Sequence, residues 1–202
     1  MSDDTAKTAS GLLHNFCLEA KQSAELVDVF RDDLRAETTR GIIVQVLPEL
    51  VQIERYTDEG IYWGMAILRL EDVTRVRRKS RELRLVQTLL SRPENSSKTI
   101  ISNQQTLSEA IDFVQSQEGY VVVCVEEADP DFNVIGEIVA SDEDYFRMTE
   151  YGTMNTQDVR ELVVKKSAVT RVDFDNRYDV AISQLGRKNK SKKQQGEAPG
   201  HR

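Results

Sequence analysis

Val73-Thr74-Arg75-Val76 returns as Val169-Thr170-Arg171-Val172, 96 positions further on (169 − 73). Four residues match easily by chance, but the correspondence continues in both directions. Upstream, at an offset of 95, Leu12 meets Leu107, Val27 meets Val122 and Gly41 meets Gly136. Ile43-Val44 meet Ile138-Val139 and Tyr56 meets Tyr151 in the same register. Downstream, at 96, Arg81 meets Arg177 and Leu89 meets Leu185, so one residue inserted near Gly152 accounts for the change. A near-constant offset over such a span predicts two copies of one unit of roughly 80 residues.

The expected organisation follows from that register. Residues 1–11 form a polar N-terminus expected to be disordered, 12–90 the first copy, 91–106 a linker, 107–185 the second copy and 186–202 a basic disordered tail. The linker contains Ser91-Arg92-Pro93-Glu94-Asn95-Ser96-Ser97, a polar and turn-rich run. In the second copy Thr106 is placed to cap a helix, with Glu109 as its capping-box partner. Leu107, Ala110, Ile111 and Val114 then recur at helical spacing until Gly119. Tyr120–Glu126 is a β-branched run; Asp129-Pro130-Asp131 is a turn; Val134–Ala140 is a second strand whose Gly136 signals a bend or a close backbone approach. Tyr145–Tyr151 and Glu161–Lys165 supply two more strands, and a fifth follows Val169 before a short amphipathic helix around Ile182. The first copy gives the same order: a helix over Leu12–Ser23, then strands near Leu26–Arg31, Gly41–Leu47, Leu50–Tyr56, Tyr62–Leu70 and Val73–Arg77. The expected class is α+β, mainly β: two small barrels in tandem, each a helix followed by about five short, bent antiparallel strands.

Ile135-Gly136-Glu137-Ile138-Val139-Ala140-Ser141-Asp142-Glu143-Asp144-Tyr145-Phe146-Arg147-Met148 resembles the first half of an Sm motif, and Leu162–Lys165 with Ala168–Val172 resembles its second half. The closing pattern from Val169 to Tyr178 also resembles a group of uncharacterised bacterial proteins with single or paired Sm-like, SH3-like barrels. RNA-binding Sm proteins place an Asn after the turn before strand three and an Arg-Gly pair after strand four. Here Val51 and Phe146 hold the first place, and Leu70-Glu71 and Lys166-Ser167 the second. The resemblance therefore implies a fold without its RNA-reading residues.

The net charge of −7 divides into +5 for the tail from Gly186, where six bases face one acid, and −12 for the rest. An acidic body disfavours non-specific nucleic-acid binding. No apolar run approaches the ~20 residues needed to span a bilayer, so no membrane is expected. The acidic start Met1-Ser2-Asp3-Asp4 has no signal pattern, and with two cysteines the chain reads as reduced and cytoplasmic. Cys17 and Cys124 both fall in apolar patterns and read as small buried hydrophobes. With His14 and His201 as the two histidines, a zinc site lacks ligands. No cofactor is expected.

The densest basic segment runs from Arg69 to Arg84, seven bases against three acids. Arg75, Arg77, Arg78, Lys79 and Arg81 within it, together with Arg171 and Arg177 of the second copy, are the candidate residues for a protein partner or nucleic acid. The competing readings are a solvated face, or arginines that meet the acidic second copy, as a pseudo-dimer or in a homo-oligomer. Tyr62-Trp63 reads as strand packing or as an exposed anchor; Asp142-Glu143-Asp144 reads as a turn. No nucleophile elbow, phosphate loop or paired-histidine motif is present in the sequence. The expectation is a non-enzymatic module that binds a protein partner, the alternative an RNA- or DNA-binding adaptor using the tail and the Arg75–Arg84 segment.

Overall fold

The computed structural model describes residues 11–34, 36–126, 133–156 and 158–196. The expected turn at Asp129-Pro130-Asp131 and the expected disordered N-terminus up to residue 10 lie outside the described residues.

Helix α1 (Leu12–Ser23) ends at Ala24, which adopts a left-handed conformation; helix α3 (Leu107–Glu118) ends the same way at Gly119. Thr106 Oγ1 accepts from the Glu109 N–H at 3.2 Å, and the Glu109 carboxylate accepts from the Gln105 N–H at 2.7 Å. The expected cap is thus in place, with its reciprocal bond one residue early.

Ten strands among the described residues follow in two sets. The first is β1 (Leu26–Phe30), β2 (Thr39–Val46), β3 (Leu50–Tyr56), β4 (Tyr62–Arg69) and β5 (Arg75–Arg78). The second is β6 (Val121–Cys124), β7 (Asn133–Ser141), β8 (Tyr145–Tyr151), β9 (Val159–Lys165) and β10 (Arg171–Phe174). Helix α2 (Arg81–Gln87) follows the first set and α4 (Arg177–Gly196) the second.

The two separate barrels expected from the sequence are not what these strands build. They form one open sheet in the order β5-β1-β2-β3-β4-β10-β6-β7-β8-β9, antiparallel at every pairing between named strands. The joint is β4 against β10, with Met65 opposite Phe174 and Leu68 opposite Arg171. Each edge satisfies the other's backbone donors and acceptors, which a buried edge needs. Met65, Ala66, Ile67, Leu68, Val172 and Phe174 are all fully buried there. Closing either half on itself would forfeit this shared core.

Each half uses the same strand order, fifth-first-second-third-fourth. Gly41 lies opposite Arg55 as Gly136 lies opposite Glu150, and both β2 and β7 break register two residues later. The first strands depart from the sequence register by one. Val27 faces Gly41 whereas Val121, not Val122, faces Gly136. Identity between two valines in a valine run is a poor ruler; the ladder is a better one.

One apolar core joins α3 to the second set of strands and to Leu50, Met65 and Ile67 of the first. Another packs α1 on β1–β4. The 91–106 segment contributes to the larger core through Ile101, which is fully buried. Gln52 holds it there: its amide donates to the Thr99 carbonyl at 2.8 Å and its Oε1 accepts from the Ile101 N–H at 2.9 Å. Helix α4 runs past the Leu185 boundary expected for the second copy. Its Arg187 and Lys190 reach Glu137 at 3.1 and 2.9 Å.

Candidate functional site

Most of the basic candidates are neutralised by the acids of their own half. Arg75 pairs with Asp32 at 2.9 Å and lies over the Phe30 ring. Arg77 reaches Asp28 at 2.5 Å, and Arg78 reaches Glu19 at 2.6 Å over the Phe16 ring. Arg40 adds a second cation to the buried Asp28 at 2.8 Å. Lys79 sits in a left-handed turn, exposed, as are Arg81 and Arg177; none of the three makes an ion pair with a described residue. The candidates are therefore not one patch. Arg75, Arg77 and Arg78 lie on the β5 edge, while Arg171 lies half-buried at the joint.

That joint holds the residues which sequence reasoning passed over. Arg31, just after β1, has no exposed side-chain surface and donates from both terminal nitrogens to Glu126, at 2.8 Å for Oε1. Glu126 also takes Arg171 at 2.7 Å and the Thr170 hydroxyl at 2.8 Å. Arg171 continues to Asp173 at 2.9 Å, and Asp173 takes Arg55 of β3 at 2.6 Å. The relay Arg31–Glu126–Arg171–Asp173–Arg55 begins and ends in the first half and passes through the second. Burial alone would raise the Glu126 pKa, but Arg31 and Arg171 hold it below its usual 4.5. The one signal in the sequence was spacing: Arg31 and Glu126 lie 95 positions apart, the offset of the repeat.

Gly64 permits this approach. Its φ is +89°, and a Cβ there would lie 2.7 Å from the Phe174 carbonyl oxygen and the Asn176 nitrogen. Beyond it, Tyr62 Oη–H donates to Asp175 at 2.7 Å and the Asp175 N–H donates to Tyr120 Oη at 2.9 Å. Tyr62 is thus packed and bonded, while the neighbouring Trp63 is 48% exposed.

A cavity of about 430 Å³ opens over the relay. Arg55, Arg171 and Asp173 line it from the sheet, Glu126 from the turn after β6, Asp179 from α4, and Trp63 and Tyr178 also line it.

His14 is half-buried, with Nδ1 unbonded among the described residues. Cys17 and Cys124 are free and buried, as their patterns indicated; burial pushes their thiols up to about 11 and about 12. Asp142 accepts from the Asp144 and Tyr145 N–H groups at 2.9 and 2.7 Å, so that segment is a side-chain-closed turn.

Comparison of the chain with protein-family models, with curated proteins and with solved structures finds no match in any of the three. No described helix is long and apolar enough to cross a membrane.

Proposed function

We propose that this chain is a non-enzymatic interaction module, built from two copies of one unit, that binds a protein partner by adding a strand at an open edge of its sheet. The observation that supports this reading is the β4–β10 joint, an edge-to-edge strand addition already made within the chain. β9 stands in the second half where β4 stands in the first, and β5 where β10 stands. Both leave a row of backbone donors and acceptors without a strand partner. β9 adds apolar surface, with Val163 62% exposed. β5 carries Arg75 and Arg77 outward and β9 carries Arg160, Glu161 and Lys165; a second copy of the chain, with the same two open edges, is one such partner.

Val163→Lys places a charge on the β9 edge, the usual way an edge is made unattractive to another strand. The immobilised wild-type chain should retain a protein from cell extract, or a second copy of itself, that Val163→Lys fails to retain. Retention of nucleic acid alone would sink the reading. It would favour the alternative adaptor role, for which the exposed Lys79, Arg81 and Arg177 are the observation in support.

A further inference from the structure

The cavity over the β4–β10 joint has a charge arrangement that the relay beneath it does not use up. Arg171 is engaged by Glu126 and Asp173, and Arg55 by Asp173. Glu37, Glu126, Asp173 and Asp179 line the cavity; Arg31 also meets Glu126 from beneath, so the carboxylates outside the relay are Glu37 and Asp179. Asp179, in the first turn of α4, forms no ion pair with any described residue. Trp63 and Tyr178 line the same space with roughly half their surface exposed, 48% and 45%. Exposed aromatic faces beside an unneutralised carboxylate are what an organic cation needs: a counter-ion plus rings whose quadrupoles attract positive charge.

We propose that this cavity binds an organic cation, a guanidinium or alkylammonium head, with Asp179 as counter-ion and Trp63 and Tyr178 as aromatic walls. At about 430 Å³ the space suits a ligand of side-chain size. No group of three or more His, Cys, Asp or Glu among the described residues converges to hold a metal ion. The site therefore favours a cation that brings its own hydrogen-bond donors and an aliphatic stem. Such a head occurs on small amines and on the arginine or lysine of a peptide.

Asp179 titrates where this matters. Burial raises its carboxyl first, Asp173 raises it further, and Arg55 and Arg171 only partly oppose, leaving it at about 7. A bound cation favours the ionised form, so binding releases a proton and strengthens as pH rises.

Trp63 is the single tryptophan of the chain, so its fluorescence reports on the cavity directly. The intact protein is titrated with N-acetyl-arginine amide, and separately with putrescine, at pH 8 and pH 6. A saturable change in Trp63 emission is expected with at least one probe. Affinity should be about tenfold weaker at pH 6 than at pH 8. A preference for the arginine probe points to a peptide side chain, and for the diamine to a free amine. Asp179→Asn should lose about tenfold or more of the affinity at pH 8, and most of the pH dependence. Tyr178→Ala, a change at an exposed position, should weaken binding several-fold and serves if Asp179→Asn does not fold. No saturable change with either probe overturns the proposal, as does unaltered affinity in both variants.

Discussion

Arg31 survives without water because Glu126 meets it from the other half of the chain, and Glu126 in turn is shared with Arg171. Removing one member of a buried pair leaves an uncompensated charge. Glu126→Gln should therefore cost about 3–5 kcal/mol in urea unfolding. Arg31→Met combined with it should cost less than the two single changes together, because the second removes the charge the first left stranded. The Glu126 carboxyl lies below 4.5 in the folded state, so its stabilisation is present above that pH and is lost as pH falls through the folded value. Wild type should lose stability in acid more steeply than Glu126→Gln. Asp179 has the opposite sign. Its folded pKa is raised from 3.8 to about 7, so it is stabilising below 3.8 relative to neutral pH, and that advantage disappears as pH rises through 7. Asp179→Asn should raise stability at pH 8 by on the order of 1–3 kcal/mol and change little at pH 4, measured by thermal melts at the two values.

Elements were legible where a local rule dictated them. The twelve residues of α3 follow from Thr106, the apolar spacing and Gly119, and Thr106 does cap the helix. Thr106→Ala should cost about 1 kcal/mol, lowering Tm by roughly 2–4 °C. Gly136 also signalled correctly: a Cβ there would lie 2.1 Å from the Thr149 carbonyl oxygen. Its counterpart Gly41 has the Glu54 oxygen at 2.2 Å, so Gly41→Ala should destabilise by about 2 kcal/mol or more, read from the urea midpoint. What was not legible was which edge each strand would choose. β4 and β10 carry the same apolar patterns whether they close their own halves or join each other. That choice is set by contacts between residues some hundred positions apart, such as Arg55 with Asp173, and no local period encodes it. The candidate site was missed for the same reason: Arg31, Arg55 and Asp173 are unremarkable in their own neighbourhoods and acquire meaning only across the joint. The arginine run from Arg75, conspicuous in sequence, is instead largely absorbed by Asp28, Asp32 and Glu19.

On the scale of the whole molecule, the two halves share one sheet, one large core and one relay of charges. Neither half should be stable alone. A fragment ending before residue 91 would expose β4 and leave Arg31 without Glu126; one starting after it would expose β10. Mixing the two fragments should restore the folded signal, and the association should weaken in acid as Glu126 is protonated. Fragments that fold separately to the full ellipticity of the intact chain would contradict this account.

The joint also imposes an order in time. β4 leaves the ribosome long before its partner: Arg171 follows Arg69 by 102 residues (171 − 69). At a synthesis rate of about 5–20 residues per second, the apolar β4 edge waits roughly 5–20 s for β10. During that interval the nascent chain is a half-sheet with an unclaimed border. Neighbouring chains on the same message present the same border, so crowded translation favours their pairing with each other over the correct, later strand.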